Sequence, residues 1–258
     1  MGTLKINRVI LFFLFLGLFS SCNRIGVKEK SHYSHQEKIL KIGTDATYPP
    51  FEYICGDTGK LIGFDIDLIK KICAELSYKP EFLVVPFDGI IAGLKQKKYD
   101  IIISAMTITK ERLAEINFSK PYYLAGQSIV VRIDNREIKS QYDLKNKKIG
   151  VQLGTTGEMT VKKIFNTTVI SYDNISSAFI DLENGRLDAI VNDIPTNRNF
   201  VNKKSDKFKI VGNVFTEEKY GIAVRKEDTL LLEKINNVIS KLEKQSYLTK
   251  LKKTWKIE

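Results

Sequence analysis

Between residues 100 and 112 the chain reads Asp100-Ile101-Ile102-Ile103-Ser104-Ala105-Met106-Thr107-Ile108-Thr109-Lys110-Glu111-Arg112. Asp100 to Ser104 has the pattern of a buried strand, a short Ile run bounded by polar residues. Hydroxyls and small side chains follow, then a single Arg112. These residue types suit the grip on a carboxylate. Thr107 and free backbone N–H groups donate hydrogen bonds, and a guanidinium takes both oxygens at once. Without context the same residues also make a strand end, a Thr-capped turn and a solvated Arg.

A second buried run, Asp188-Ala189-Ile190-Val191, ends at Asn192-Asp193. Asp193 there is a natural counter-ion for an ammonium, and equally a cap for the helix entered through Pro195. Leu153-Gly154-Thr155-Thr156-Gly157-Glu158 is a Gly-rich turn before a helix expected from about Glu158 to Phe165. It presents backbone N–H groups to an anion, or is a loop capped by Thr155 or Thr156. The G-x-x-x-x-G-K-[ST] spacing of a phosphate loop is missing.

These residues need rigid elements behind them. Leu40 to Thr44 opens as a strand, and Pro49-Pro50 forces the following loop to extend. Asp45 and Tyr48 then sit at a strand's carboxyl edge, where open α/β sheets bind ligands. Gly56-Asp57-Thr58-Gly59 is a turn between two short strands. A helix starts at Asp65, with Asp65 and Asp67 suited to its N-terminal end. Ile66, Ile69, Ile72, Cys73 and Leu76 share one of its faces. Phe82 to Val85 is a strand, and Phe87 to Leu94 begins a helix. This alternation predicts an α/β fold with right-handed crossovers. Further strands are expected at Ser128–Val131, Lys148–Gln152, Val169–Ser171, Phe208–Val211 and Tyr220–Val224. Helices are expected around Ala178 and Leu182 up to Gly185, over Leu230–Leu242 and over Tyr247–Trp255.

The 258 residues suffice for one or two full cores. The net charge of +11 comes mostly from scattered Lys, with no dense basic arm, which argues against nucleic acid as a partner. Cys22, Cys55 and Cys73 form no C-x-x-C pair, so no zinc site is expected. Cys73 belongs to a core face. A Cys55–Cys73 bridge stays open. At the N-terminus Lys5 and Arg8 precede a short apolar run, Val9 to Phe19, too short to span a bilayer comfortably. Small Ser20 and Ser21 then precede Cys22. Residues 23 to 38 are polar, without apolar period, and read as a flexible tether; His32 and His35 within it are read as solvated. With no other His in the chain, a Ser-His-Asp or Cys-His set is excluded from the folded part.

Ser104-Ala105-Met106-Thr107-Ile108-Thr109-Lys110-Glu111-Arg112, Ile116-Asn117-Phe118-Ser119 and Pro121-Tyr122-Tyr123 resemble the amino-acid-binding family of periplasmic solute-binding proteins. Thr44 to Phe51, Gly63 to Asp67 and Phe87 to Ile91 resemble the same family, in the same order. The resemblance runs from about Ile39 to Trp255. It implies a two-lobe type II periplasmic-binding-protein fold of class α/β, with the second lobe inserted in the first and a two-strand hinge near Leu124–Ser128 and Phe215–Gly221. Residues 39–126 and 220–258 would form lobe 1, and 127–219 lobe 2. In that family Arg112 and Thr156 would hold a carboxylate, Asp193 an α-amino group, and Tyr48 and Phe87 would flank the ligand. The backbone from Ser104 through Ala105 to Thr107 would complete the net. Asp45, Tyr48, Phe87 and Gln152 would surround the side chain, Asp45 favouring a cationic or amide group. The segment 1–22 resembles a lipoprotein signal, with Cys22 as the lipidated residue. The implied protein is a monomeric, extracytoplasmic lipoprotein that passes a free amino acid to the permease of an ABC importer. It would be anchored to a membrane by its lipid and need neither cofactor nor metal. A secreted dehydratase-like enzyme and a partner-binding adhesin on the same fold are the alternatives.

Overall fold

The computed structural model describes residues 38–258. The signal segment, Cys22, His32, His35 and nearly all of the expected tether lie outside the described residues. The described chain forms two lobes, each built on its own five-stranded sheet.

In the first sheet the strand Lys38–Thr44 lies parallel to Tyr78–Val84 on one side and to Ile101–Ile102 on the other. Ala223–Val224 and Asn117–Phe118 complete it in antiparallel sense. Pro80, which cannot donate to a ladder, falls in the edge strand. The helix Phe64–Glu75 lays Ile66, Ile69, Ile72 and Cys73 into the core, the face expected from their spacing. The helices Thr229–Lys244 and Tyr247–Trp255 return the C-terminal chain to this lobe. There Lys241 pairs with Glu75 and the Trp255 indole N–H donates to Asp67.

The second sheet runs Thr168–Tyr172, Lys148–Gln152, Ala189–Asp193, Gln127–Arg132, Phe208–Val211. The first three strands are parallel and the last two pair antiparallel. Ile129, Val131, Ile149, Val151, Ala189 and Val191 fill the core on one face. Val130 and Ile190 point to the other, against Ala178, Phe179 and Leu182. Burial on both faces explains why these strands read as continuous apolar runs. Two short strands join the lobes: Tyr123–Ala125 and Glu218–Tyr220 pair antiparallel in a sheet of their own.

Several expected elements differ. Tyr220–Val224 is not one strand. It breaks at Gly221-Ile222, because the chain leaves the hinge sheet there and enters the first lobe's sheet. The helix expected to reach Phe165 spans Thr156–Val161, and Phe165 lies exposed. The Ile run enters the ladder only at Ile101–Ile102, as the chain turns away toward the cleft. Cys55 and Cys73 are both free thiols: Cys73 is buried in the core, whereas Cys55 sits half-exposed in its hairpin.

Candidate functional site

The carboxyl ends of the parallel strands of both sheets meet at one small cavity, in which about 20 Å³ is open to a water-sized sphere. Tyr48, Phe87, Ser104, Ala105, Thr107 and Arg112 line it from the first lobe, and Gln152, Thr155, Thr156 and Asp193 from the second. Nine of the ten residues expected from sequence lie on this wall. Asp45 does not. Its carboxylate turns back to accept from Thr47 Oγ1 at 2.7 Å and from Gln152 Nε2 at 2.8 Å. It therefore stands behind Gln152 rather than in the cavity. Burial raises its pKa, opposed by these two hydrogen bonds.

Arg112 projects from the short helix Lys110–Glu115, whose start is capped by Thr109 Oγ1 accepting from Arg112 N–H. The solvated alternative for Arg112 is wrong, since the residue is only 5% exposed. Its Nη1 donates to the Thr107 carbonyl at 2.7 Å and its Nη2 to the Gly154 carbonyl at 3.0 Å. The guanidinium stacks over Phe87, 5.3 Å from the ring centre. Burial lowers its pKa to about 10, against the pull of Glu218, Asp193 and Glu111. It thus stays cationic at neutral pH. Among the described residues no carboxylate forms an ion pair with it, so its charge is held by carbonyl dipoles and an aromatic face.

Asp193 ends the strand Ala189–Asp193 and precedes the helix Ile194–Lys203. Its side chain makes no cap hydrogen bond, which removes the helix-cap alternative. It accepts instead from the hydroxyls of Tyr48 and Tyr220 and from Gln127 Nε2. Burial, then repulsion from Glu218, raises its pKa to about 7. A buried carboxyl and a buried cation thus face one cavity without pairing with each other, and burial makes each costly to keep charged.

The Gly-rich turn is fixed from behind. Thr155 Oγ1 caps the helix by accepting from Glu158 N–H and donates to the Gln152 carbonyl; Glu158 accepts from Gly154 N–H. Thr156 Oγ1 accepts from Gln127 Nε2, which leaves its own hydrogen free to donate. The Ser104 hydroxyl is already used, accepting from Asp45 N–H and donating to Glu52.

Across the cleft, hydrogen bonds run from Tyr48 to Asn192 and Asp193, from Gln152 to Asp45 and from Arg112 to Gly154, in addition to those at the hinge. At this seam Gly154 has φ of 77°, and a Cβ there would lie 3.1 Å from the Asp88 Cα. Replacing Gly154 by Ala is expected to weaken ligand binding about tenfold, since left-handed backbone costs about 1–2 kcal/mol and the lobes must also part slightly. Titration calorimetry on Gly154→Ala tests this, and an unchanged affinity would remove Gly154 from the closure seam.

Sequence reasoning missed Gln127, Asn192, Glu218 and Tyr220, which surround Asp193. Gln127, Glu218 and Tyr220 gave only a polar or aromatic side chain in or beside a hinge strand, and Asn192 only its place before Asp193 in the same strand; sequence gives no register between two crossing strands.

Two α/β lobes on a two-strand hinge, closing on a cavity of opposed charges, define a cleft-binding protein for small solutes. The chain belongs to the bacterial extracellular solute-binding proteins, family 3, which it matches over residues 40–258. It is 36% identical over 228 residues to ABC transporter arginine-binding protein 1 of Escherichia coli (strain K12), covering 86% of this chain and 92% of that protein. An ancestral arginine-binding protein solved with arginine superposes with a TM-score of 0.82 at 46% identity, covering 86% of this chain and 99% of that one. The ancestral amino acid-binding protein AncCDT-1, a precursor of cyclohexadienyl dehydratase, gives a TM-score of 0.79 at 41% identity, covering 84% and 95%.

Proposed function

We propose that this protein captures a free amino acid with a polar or cationic side chain and hands it to the membrane permease of an ABC importer. The observation that carries the reading is the pair Arg112 and Asp193, both buried, of opposite charge, on one small cavity. A zwitterion supplies both missing partners. Its carboxylate takes Arg112 and the Thr156 hydroxyl, and its ammonium takes Asp193. Tyr48 and Phe87 enclose the chain between them. The buried Oε1 of Gln152 has no hydrogen-bond donor, and its amide is held by Asp45. An N–H on the ligand side chain would satisfy it, which favours arginine, lysine, histidine or glutamine over acidic residues. Closure about the hinge expels water and strengthens every charged contact. We assign lobe 1 to residues 39–126 and 220–258 and lobe 2 to 127–219. Cleavage before Cys22 and its lipidation would hold a monomer at the outer side of a membrane, and two or more acyl chains suffice for stable anchoring.

A thermal-shift screen of the twenty amino acids on the chain from Asn23 tests the ligand class. A ligand at a hundredfold excess over Kd stabilises by about 2.7 kcal/mol. For a chain of this size that raises the midpoint by about 5–10 °C. No shift with any amino acid would refute the reading. Catalysis is a second reading, favoured by one observation: a buried carboxyl raised to about 7 in a cleft suits a general acid or base. Turnover of a prephenate-like compound discriminates, and none is expected.

A further inference from the structure

Behind the cavity floor lie two carboxyls that the binding scheme does not use. Glu52 begins the short strand Glu52–Ile54, and Asp65 sits in the first turn of the helix Phe64–Glu75. Both are fully buried. Asp65 therefore does not serve as a solvent-facing partner of the helix end, as its position in sequence suggested. Its Oδ2 accepts from Ala105 N–H and from the Tyr122 hydroxyl, each at 2.7 Å. Glu52 Oε1 accepts from the Ser104 hydroxyl at 2.9 Å. Ser104 and Ala105 both line the cavity, and Ala105 holds the uncommon φ of 44°.

The remaining oxygens, Glu52 Oε2 and Asp65 Oδ1, are buried with no donor. The two carboxyls are side-chain hydrogen-bonding neighbours of each other, and among the described residues no cation enters the causes that shift either group. The charged or titratable neighbours are Tyr122 against Asp65 and Asp45 near Glu52. Asp45 adds a further negative charge. Two carboxylates in that setting cannot both ionise.

We propose that Glu52 and Asp65 share one proton, Glu52 Oε2 donating it to Asp65 Oδ1, and that this pair positions the Ser104–Ala105 segment against the cavity. The direction follows from the partners. Asp65 already accepts two hydrogen bonds, which stabilises its ionised form, whereas Glu52 accepts one. Burial raises both groups, and the Asp65 charge raises Glu52 further. The proton-sharing stands without the ligand reading; the consequence for binding rests on it.

The test is equilibrium urea unfolding of wild type, Glu52→Gln and Asp65→Asn from about pH 7.5 to 9, where Asp193 is ionised. A proton held by the folded chain but not the unfolded one lowers the folding constant tenfold per pH unit. Wild type should show that decline relative to Glu52→Gln, whose amide needs no proton. Parallel curves overturn the proposal. L-Arginine titrations at neutral pH add a second readout. Glu52→Gln should bind within about threefold of wild type, whereas Asp65→Asn, having lost an acceptor, should lose tenfold or more. Equal losses mean mere packing, and the reverse order puts the proton on Asp65; either overturns the assignment. If wild type binds no arginine, the ligand reading is at fault and the unfolding curves still decide the shared proton.

Discussion

Arg112→Ala is expected to weaken amino-acid binding by at least about a hundredfold while costing the ligand-free protein little. The two effects differ because the guanidinium has different partners in the two states. Without ligand it holds two carbonyls and the Phe87 face, and its burial is only partly compensated. Removing it relieves an unpaired buried charge, which offsets the lost hydrogen bonds. With ligand it would hold a carboxylate at both ends of its fork. Truncating one partner of a buried pair leaves the other charge stranded, at a cost of about 3–5 kcal/mol. Arg112→Lys keeps the charge but loses the planar fork, and cannot reach Thr107, Gly154 and the ligand together. An intermediate affinity is expected. Titration calorimetry paired with urea unfolding separates the terms. Binding by Arg112→Ala within a few-fold of wild type would mean that the carboxylate is held elsewhere.

Arg112 and Asp193 were legible in the sequence as charges beyond buried apolar runs, but the residues alone left a solvated Arg and a helix cap open, and the family resemblance supplied their roles. Asp193 ends its buried strand, whereas Arg112 lies on the short helix Lys110–Glu115 that follows one, and chain order carries both placements. Asp45 marks the limit. Its place just beyond the strand Lys38–Thr44 was readable, but Ala46 adopts a φ of 61° and the carboxylate bends to Thr47 and Gln152. A side chain's direction after a turn depends on partners more than a hundred residues away in sequence. Asp65 was read as a partner of the helix end, since acidic residues are common there. Its burial depends on Tyr122 and Ala105, whose proximity only the folded sheet creates. Strand limits failed where the chain moves between sheets, as at Gly221, because propensity runs on unbroken through Tyr220–Val224 while hydrogen-bonding partners change.

Affinity for the amino acid should fall as pH drops below about 7, and Asp193 is the group responsible. Burial and the Glu218 charge hold its pKa at about 7, opposed by the Tyr220 and Tyr48 hydroxyls and by Arg112. Its value in the unfolded chain is near 3.8. The sign follows from that order. Below pH 7 the folded, ligand-free carboxyl keeps a proton that the unfolded chain releases down to about pH 4, so this group favours folding in acid and loses that contribution as pH rises through 7. Ammonium binding has the opposite need. It requires the anion, so the ligand must displace the proton, and affinity declines by about tenfold per pH unit below 7. Calorimetry in two buffers of different ionisation enthalpy should find close to one proton released per ligand at pH 6 and almost none at pH 8. Asp193→Asn removes both the charge and the proton. Its affinity should fall at least about a hundredfold at pH 8, where a buried ammonium faces an amide, and its residual binding should be flat from pH 6 to 8. A wild-type pH slope that survives in Asp193→Asn would move the titrating group elsewhere and leave the ammonium without its proposed partner.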